Sequence, residues 1–191
     1  MKQVKLFAVV MLLIMCNSFA AAQMSKTEDH PTVAREFDRA VSSLERQFVP
    51  AAEAMPSDKY SFAPTNGDFK GVRTFAQQVK HVGATNFYIG AVILGEKPPA
   101  EAGPDETGPE SVQSKEQIVK YLKDSFVYLH KAMGSVTEKN MLDPVKAPWG
   151  QNTTRLSLAI VLAAHPFDHY GQMVEYLRMN SIIPPASRPR K

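Results

Sequence analysis

Two histidines four residues apart, His165 and His169, sit in a long apolar run near the end of a 191-residue chain. On a helix each residue turns by about 100°, so the two rings stack on one face. Leu158, Val161, Leu162, Met173, Tyr176 and Leu177 extend that face in both directions, which makes it the stripe a bundle buries. Two buried imidazoles need partners, since an unpaired buried polar group costs about 1–3 kcal/mol. A metal ion is one partner that would satisfy both; hydrogen bonds between the rings or to water are another. A third histidine, His81, has Gln77, Gln78, Ala84, Thr85 and Tyr88 as helical neighbours. Joined to the pair, it would complete three neutral nitrogen ligands, the usual set for a zinc or nickel site that keeps open positions. Spacing does not bring it there, and a lone histidine on such a face is more often a satisfied structural residue.

Two further residues could support these rings. A metal-bound histidine usually donates its other ring N–H to an acceptor. Asp168 is the carboxylate nearest in sequence, three residues after His165, and Gln172 lies one turn past His169. The plainer alternatives are a solvent-facing helix charge for Asp168 and a cross-helix hydrogen bond for Gln172. Tyr88 and Tyr170 offer hydroxyls but read first as packing residues with a polar tip. His130 has no partner at helical spacing and reads as structural. No residue stands out as a general base, which a hydrolase usually needs near its metal.

The elements that must position these residues are helices. Apolar residues recur at helical spacing in four segments. The first covers about 32–55, with Val33, Phe37, Val41, Leu44 and Phe48 inward; Pro50 is expected to kink or end it near Val49. The second starts at a capping box, Thr74-Phe75-Ala76-Gln77, and runs to about Leu94. The third starts at another, Ser114-Lys115-Glu116-Gln117, with Ile118, Tyr121, Leu122, Phe126 and Leu129 inward. The fourth covers about 152–180. No stretch alternates as a strand would, and nothing repeats. The expected fold is all-α, a four-helix bundle. At 1.5 Å per residue His81 lies about 10 Å from its helix start, and the His165–His169 pair about 15 Å from its helix end. The levels match best if the second and fourth helices run antiparallel. Simple up-down connectivity would make them parallel, so one of the long loops, 96–111 or 134–151, is expected to be a crossover.

The segment His165-Pro166-Phe167-Asp168-His169-Tyr170-Gly171-Gln172-Met173 resembles the last helix of the DinB/YfiT-like superfamily. Thr74-Phe75-Ala76-Gln77-Gln78-Val79-Lys80-His81 resembles its second helix, and Ala52–Tyr60 the end of its first. The resemblance implies a four-helix bundle with an unusual connection order. It implies a divalent metal, zinc or nickel, on His81, His165 and His169. It also implies a metal-dependent hydrolase or a thiol-dependent transferase or isomerase acting on a small molecule. A non-catalytic bundle, its metal structural or absent, is the alternative. Pro166, between the two ligands, departs from the family pattern.

The first residues are a separate matter. Lys2 and Lys5 precede an apolar stretch from Leu6 to Met15, and Ala20-Ala21-Ala22 follow. That order reads as a secretory signal peptide over residues 1–22, so the protein is expected to be exported, periplasmic or secreted, with no membrane span after cleavage. Residues 23–31 read as a flexible segment, 32–183 as the bundle and 184–191 as a basic tail. Cys16 is the one cysteine, so cleavage would leave no thiolate site or disulfide. Removing Lys2 and Lys5 from the 22 basic residues leaves 20 against 19 acidic ones. That balance gives no electrostatic case for nucleic acid. A homodimer is compatible with the bundle.

Overall fold

The computed structural model describes residues 30–189. The signal peptide expected over residues 1–22 lies outside the described residues, as does most of the segment 23–31. The described residues from Thr32 onward form one compact unit. Its four long helices are α1 (Val33–Ala54), α2 (Phe75–Leu94), α3 (Lys115–Gly134) and α4 (Arg155–Met179). The boundaries follow from local chemistry. Thr74 and Ser114 cap α2 and α3 through complete capping boxes with Gln77 and Gln117. Thr32 and Thr154 cap α1 and α4 through their hydroxyls. Gly95 ends α2 in the left-handed conformation, φ 73°. Both internal prolines are accommodated: α1 continues through Pro50 to Ala54 rather than ending near Val49, and α4 continues through Pro166.

The helices pack in the ring order α1, α3, α2, α4, so α1 and α2 face each other across a diagonal, as do α3 and α4. Side-chain pairs give the directions. Asn86 meets Ser125, and Lys131 reaches Glu96, so α2 and α3 run parallel. His130 meets Asp38 while Lys123 meets Glu53, so α1 and α3 are antiparallel. Gln78 meets Gln172 while Arg155 reaches Ile93, so α2 and α4 are antiparallel as the level argument expects. Phe48, Phe75, Phe126, Leu44, Leu122, Leu129, Leu158 and Leu162 fill the core.

Two parallel neighbours need a connection that travels back a whole helix length. A 20-residue helix is about 30 Å long, within the reach of the residues between Leu94 and Lys115 at about 3.3 Å each. This return strap lies along α2 and is tied to it. Tyr88 Oη donates to the Gly103 carbonyl at 2.7 Å, and Lys80 Nζ to that of Pro109 at 2.8 Å. Tyr121 Oη, from α3, donates to the Ala102 carbonyl at 3.3 Å. Gly103 must be glycine. Its φ is +85°, and a Cβ would lie 2.6 Å from the Pro109 nitrogen.

The other long loop holds what sequence reading missed. Two three-residue strands, β1 (Pro144–Lys146) and β2 (Asn152–Thr154), pair antiparallel before α4. Three residues are too few for an alternating pattern to show. A turn closed by Ala147 N–H donating to the Gln151 carbonyl, with Gly150 at φ 93°, joins them and presents Trp149.

Candidate metal centre

His81 lies on the second turn of α2, and His165 and His169 on one face of α4. Antiparallel packing of α2 on α4 brings all three together. His165 Nε2 is 3.1 Å from His81 Nε2 and 2.9 Å from His169 Nε2. His81 and His169 are buried, and His165 is half-buried. Pro166 sits between the two α4 ligands without separating them: the helix is continuous and both rings point at one spot.

The outer ring nitrogens decide what the inner ones carry. His81 Nδ1 lies 2.9 Å from the Glu106 carbonyl oxygen on the strap. A carbonyl only accepts, so His81 Nδ1 carries the proton and its Nε2 presents a lone pair. For His169 the argument runs through a chain of side chains. The Asp168 carboxylate only accepts, so Gln172 Nε2 donates to it, at 3.1 Å. Gln172 Oε1 must then accept from Gln78 Nε2, at 2.7 Å. That leaves Gln78 Oε1 to accept from His169 Nδ1–H, at 2.5 Å. His169 Nε2 therefore also presents a lone pair.

His165 receives both. Its Nδ1 is buried with no hydrogen-bond partner among the described residues. If its proton sits on Nε2, it can point at one neighbour, and the other contact stays lone pair to lone pair. If it sits on Nδ1, all three inner nitrogens are bare and the buried N–H has no acceptor. A cation between the rings removes the conflict, because three lone pairs converging on one point are what it requires. The chemistry of the donor set thus fits a divalent metal. The three ligand atoms lie within 4.8 Å of one another, the one such cluster found among the described residues.

Electrostatics agrees with neutral rings. Burial holds His169 down to about 3, helped by the positive charge that His165 and His81 would carry if protonated. Burial and His81 hold His165 down to about 4. Burial also lowers His81, against the opposing pull of the Glu106 carbonyl. Neutral imidazole is the form that ligates.

Of the supporting residues expected from sequence, Gln172 and Asp168 both take part, at a remove. Asp168 does not touch a histidine; it fixes the amide orientations that set the His169 tautomer. Gln78, buried at 2 % exposure, is the residue that holds His169, and it was passed over as one polar neighbour of His81. Its signal was its place one turn before His81 on the same face. The Glu106 carbonyl left no signal, because any residue could supply it. Arg155 donates to the Ile93 carbonyl at 2.7 Å and lies 3.9 Å from Asp143, away from the three histidines. Tyr170 packs on Phe48. His130 lies between Asp38 and Glu45, joining α3 to α1.

A sequence profile of the DinB superfamily matches residues 40–173, the span that holds all three histidines. The chain belongs to the DinB superfamily. Solved structures show the same fold for this superfamily member. A DinB-like protein from Bacillus cereus superposes with a TM-score of 0.60 at 16 % identity, over 81 % of this chain and 96 % of that one. A mycothiol-dependent maleylpyruvate isomerase superposes with a TM-score of 0.55 at 14 % identity, over 78 % of this chain and 63 % of that one. No curated protein matches the sequence.

Proposed function

We propose that this DinB-superfamily protein is an exported metal-dependent enzyme, a hydrolase or transferase of a small molecule, with a divalent ion on His81, His165 and His169. One observation carries the metal: two of three converging ring nitrogens are forced to be bare by acceptors fixed behind them. Zinc and nickel suit three neutral imidazoles. When bound, such an ion keeps its full charge and supplies Lewis-acid chemistry. The residues of the chain do the positioning. The Glu106 carbonyl and Gln78 hold two rings by their outer nitrogens. The core behind the rings keeps them neutral.

The similar fold of a mycothiol-dependent isomerase brings thiol-dependent transfer within this reading. Export argues for a reaction that needs no intracellular thiol. Mass spectrometry of the protein from the exported fraction tests the location, with a new N-terminus expected near Gln23.

Elemental analysis tests the metal. The purified mature chain, reconstituted with zinc or nickel, is expected to hold one equivalent; less than about a tenth would contradict the site. A non-catalytic reading, with a structural metal, is favoured by one observation. The carboxylate tied to the site, Asp168, reaches it through two glutamines rather than facing it. Cobalt substitution separates the two. A visible spectrum that shifts on adding azide shows an exchangeable position and supports an enzyme; an unchanged spectrum supports a structural ion.

A further inference from the structure

The return strap also walls one side of an open cavity. It lies between α2, the strap and the β1–β2 turn, and has a volume of about 320 Å³. It begins one helical turn beyond His81. Thr85 lines it, and the Thr85 hydroxyl donates to the His81 carbonyl at 2.8 Å. Glu106 lines it too, and the carbonyl of that residue holds His81 Nδ1. The cavity and the candidate metal centre therefore share α2 and the strap.

The walls are apolar and aromatic: Tyr88, Ile89, Pro148 and Trp149. Trp149 keeps 54 % of its surface exposed, at the tip of the β1–β2 turn. Tyr88 is fixed by its bond to Gly103. The charged groups in the wall are Asp105 and Glu106, both acidic. Glu106 is compensated, since Arg73 Nη2 lies 3.0 Å from its Oε1. Asp105 has no ion-pair partner among the described residues. One of its oxygens accepts from both the backbone N–H and the hydroxyl of Thr107, at 2.8 and 2.6 Å. These bonds fix the carboxylate and hold it below the usual range. Lys80, which feels this charge, gives its ammonium to the Pro109 carbonyl instead.

An apolar pocket with aromatic walls and, at its exposed rim, one carboxylate held by Thr107 and without an ion pair among the described residues has a definite complement. We propose that this cavity binds an organic ammonium with an apolar body. The ammonium sits at Asp105 and the body lies between Trp149, Tyr88 and Ile89. Cations are drawn to indole and phenol faces as well as to carboxylates, so both parts of such a ligand are matched. The proposal rests on the metal-centre reading for its role, as the subsite that selects the substrate. Binding itself is measurable with or without the ion.

Trp149 is the one tryptophan in the chain, so its fluorescence reports on this pocket alone. The full mature chain is titrated with 2-phenylethylammonium, with the neutral 2-phenylethanol and with the anionic 3-phenylpropanoate. The ammonium is expected to give a saturable change and to bind tighter than the alcohol by on the order of fivefold, as one aromatic and one carboxylate contact at a wet rim allow. The propanoate is expected to give none. Asp105→Asn, which keeps the Thr107 contacts, is expected to abolish the preference for the ammonium over the alcohol. Equal binding of ammonium and alcohol, tighter binding of the anion, or no saturable change would each overturn the proposal. Metal content is measured on the same samples. Lost metal with intact ammonium selectivity overturns the metal reading; intact metal without selectivity overturns this one.

Discussion

Replacing His169 with alanine separates a metal ligand from a packing residue, because the two roles differ in how the loss responds to metal. In the metal-free protein the substitution removes a bond to Gln78 and leaves a buried acceptor, Gln78 Oε1, without its donor. Such a group costs about 1–3 kcal/mol. The same substitution relieves the 2.9 Å contact between His169 Nε2 and His165 Nε2, which offsets part of that loss. In the loaded protein a further quantity appears. A ligand at a hundred times its dissociation constant stabilises the native state by about 2.7 kcal/mol. For a domain of this size each kcal/mol moves Tm by about 2–4 °C. Wild type is therefore expected to gain roughly 5–11 °C on adding saturating zinc or nickel, and His169→Ala almost none. The assay is thermal unfolding of both proteins, each with metal and with chelator. Equal destabilisation of the variant in both conditions would refute the reasoning, since His169 would then contribute packing alone.

Four further outcomes follow from the same contacts. Gln78→Leu removes the acceptor behind His169 and is expected to weaken metal binding by roughly 10–100-fold, read by competition with a chromogenic chelator. Asp168→Asn is expected to weaken it less, because the amides of Gln172 and Gln78 lose only the group that fixes their orientation; equal losses would contradict the chain order. Gly103→Ala forces the strap apart where residue 103 meets Pro109 and so moves the Glu106 carbonyl between them, so metal affinity is expected to fall while helical circular dichroism stays; unchanged affinity would mean that the strap does not set His81. His130 titrates above its ordinary value. Burial opposes its charge, and the contacts to Asp38 and Glu45 outweigh that. Its contribution is therefore full below about pH 6.5, the unfolded value, and is lost as pH rises through the folded one. The Tm difference between wild type and His130→Gln in metal-free protein is expected to be larger at pH 5.5 than at pH 8.5. The three site histidines, with lowered values, act in the opposite sense in both proteins and cancel in the difference.

Local rules carried most of the fold. Both capping boxes and the 3.6-residue spacing placed the first two helices and the start of the third to within a residue, since caps and apolar stripes are set by neighbours in sequence; the fourth begins three residues later than expected, at Arg155, because residues 152–154 form β2. The antiparallel α2–α4 pair followed from matching the levels of His81 and the His165–His169 pair. That constraint made a crossover necessary, and it is the strap of residues 96–111. The diagonal placement of α1 and α2 had no such handle. Pro50 left the end of α1 open between Val49 and Met55, and the helix continues past the proline to Ala54. In the site, His165 and His169 were legible because both ride on one helix. Gln78 and Gln172 were not legible as a pair, because 94 residues separate them and only tertiary packing makes them meet. The Glu106 carbonyl belongs to the backbone and carries no side-chain signature. The cavity under Trp149 is built from three separate segments, so no single stretch announced it.

The central claim is that a divalent ion sits where three imidazoles converge. An anomalous-difference map from crystals of the zinc-loaded protein, collected across the metal edge, tests it most directly. The account predicts one strong peak among the Nε2 atoms of His81, His165 and His169, with Zn–N distances of about 2.0–2.1 Å. An empty position there, or a peak only at His130 between Asp38 and Glu45, would contradict it.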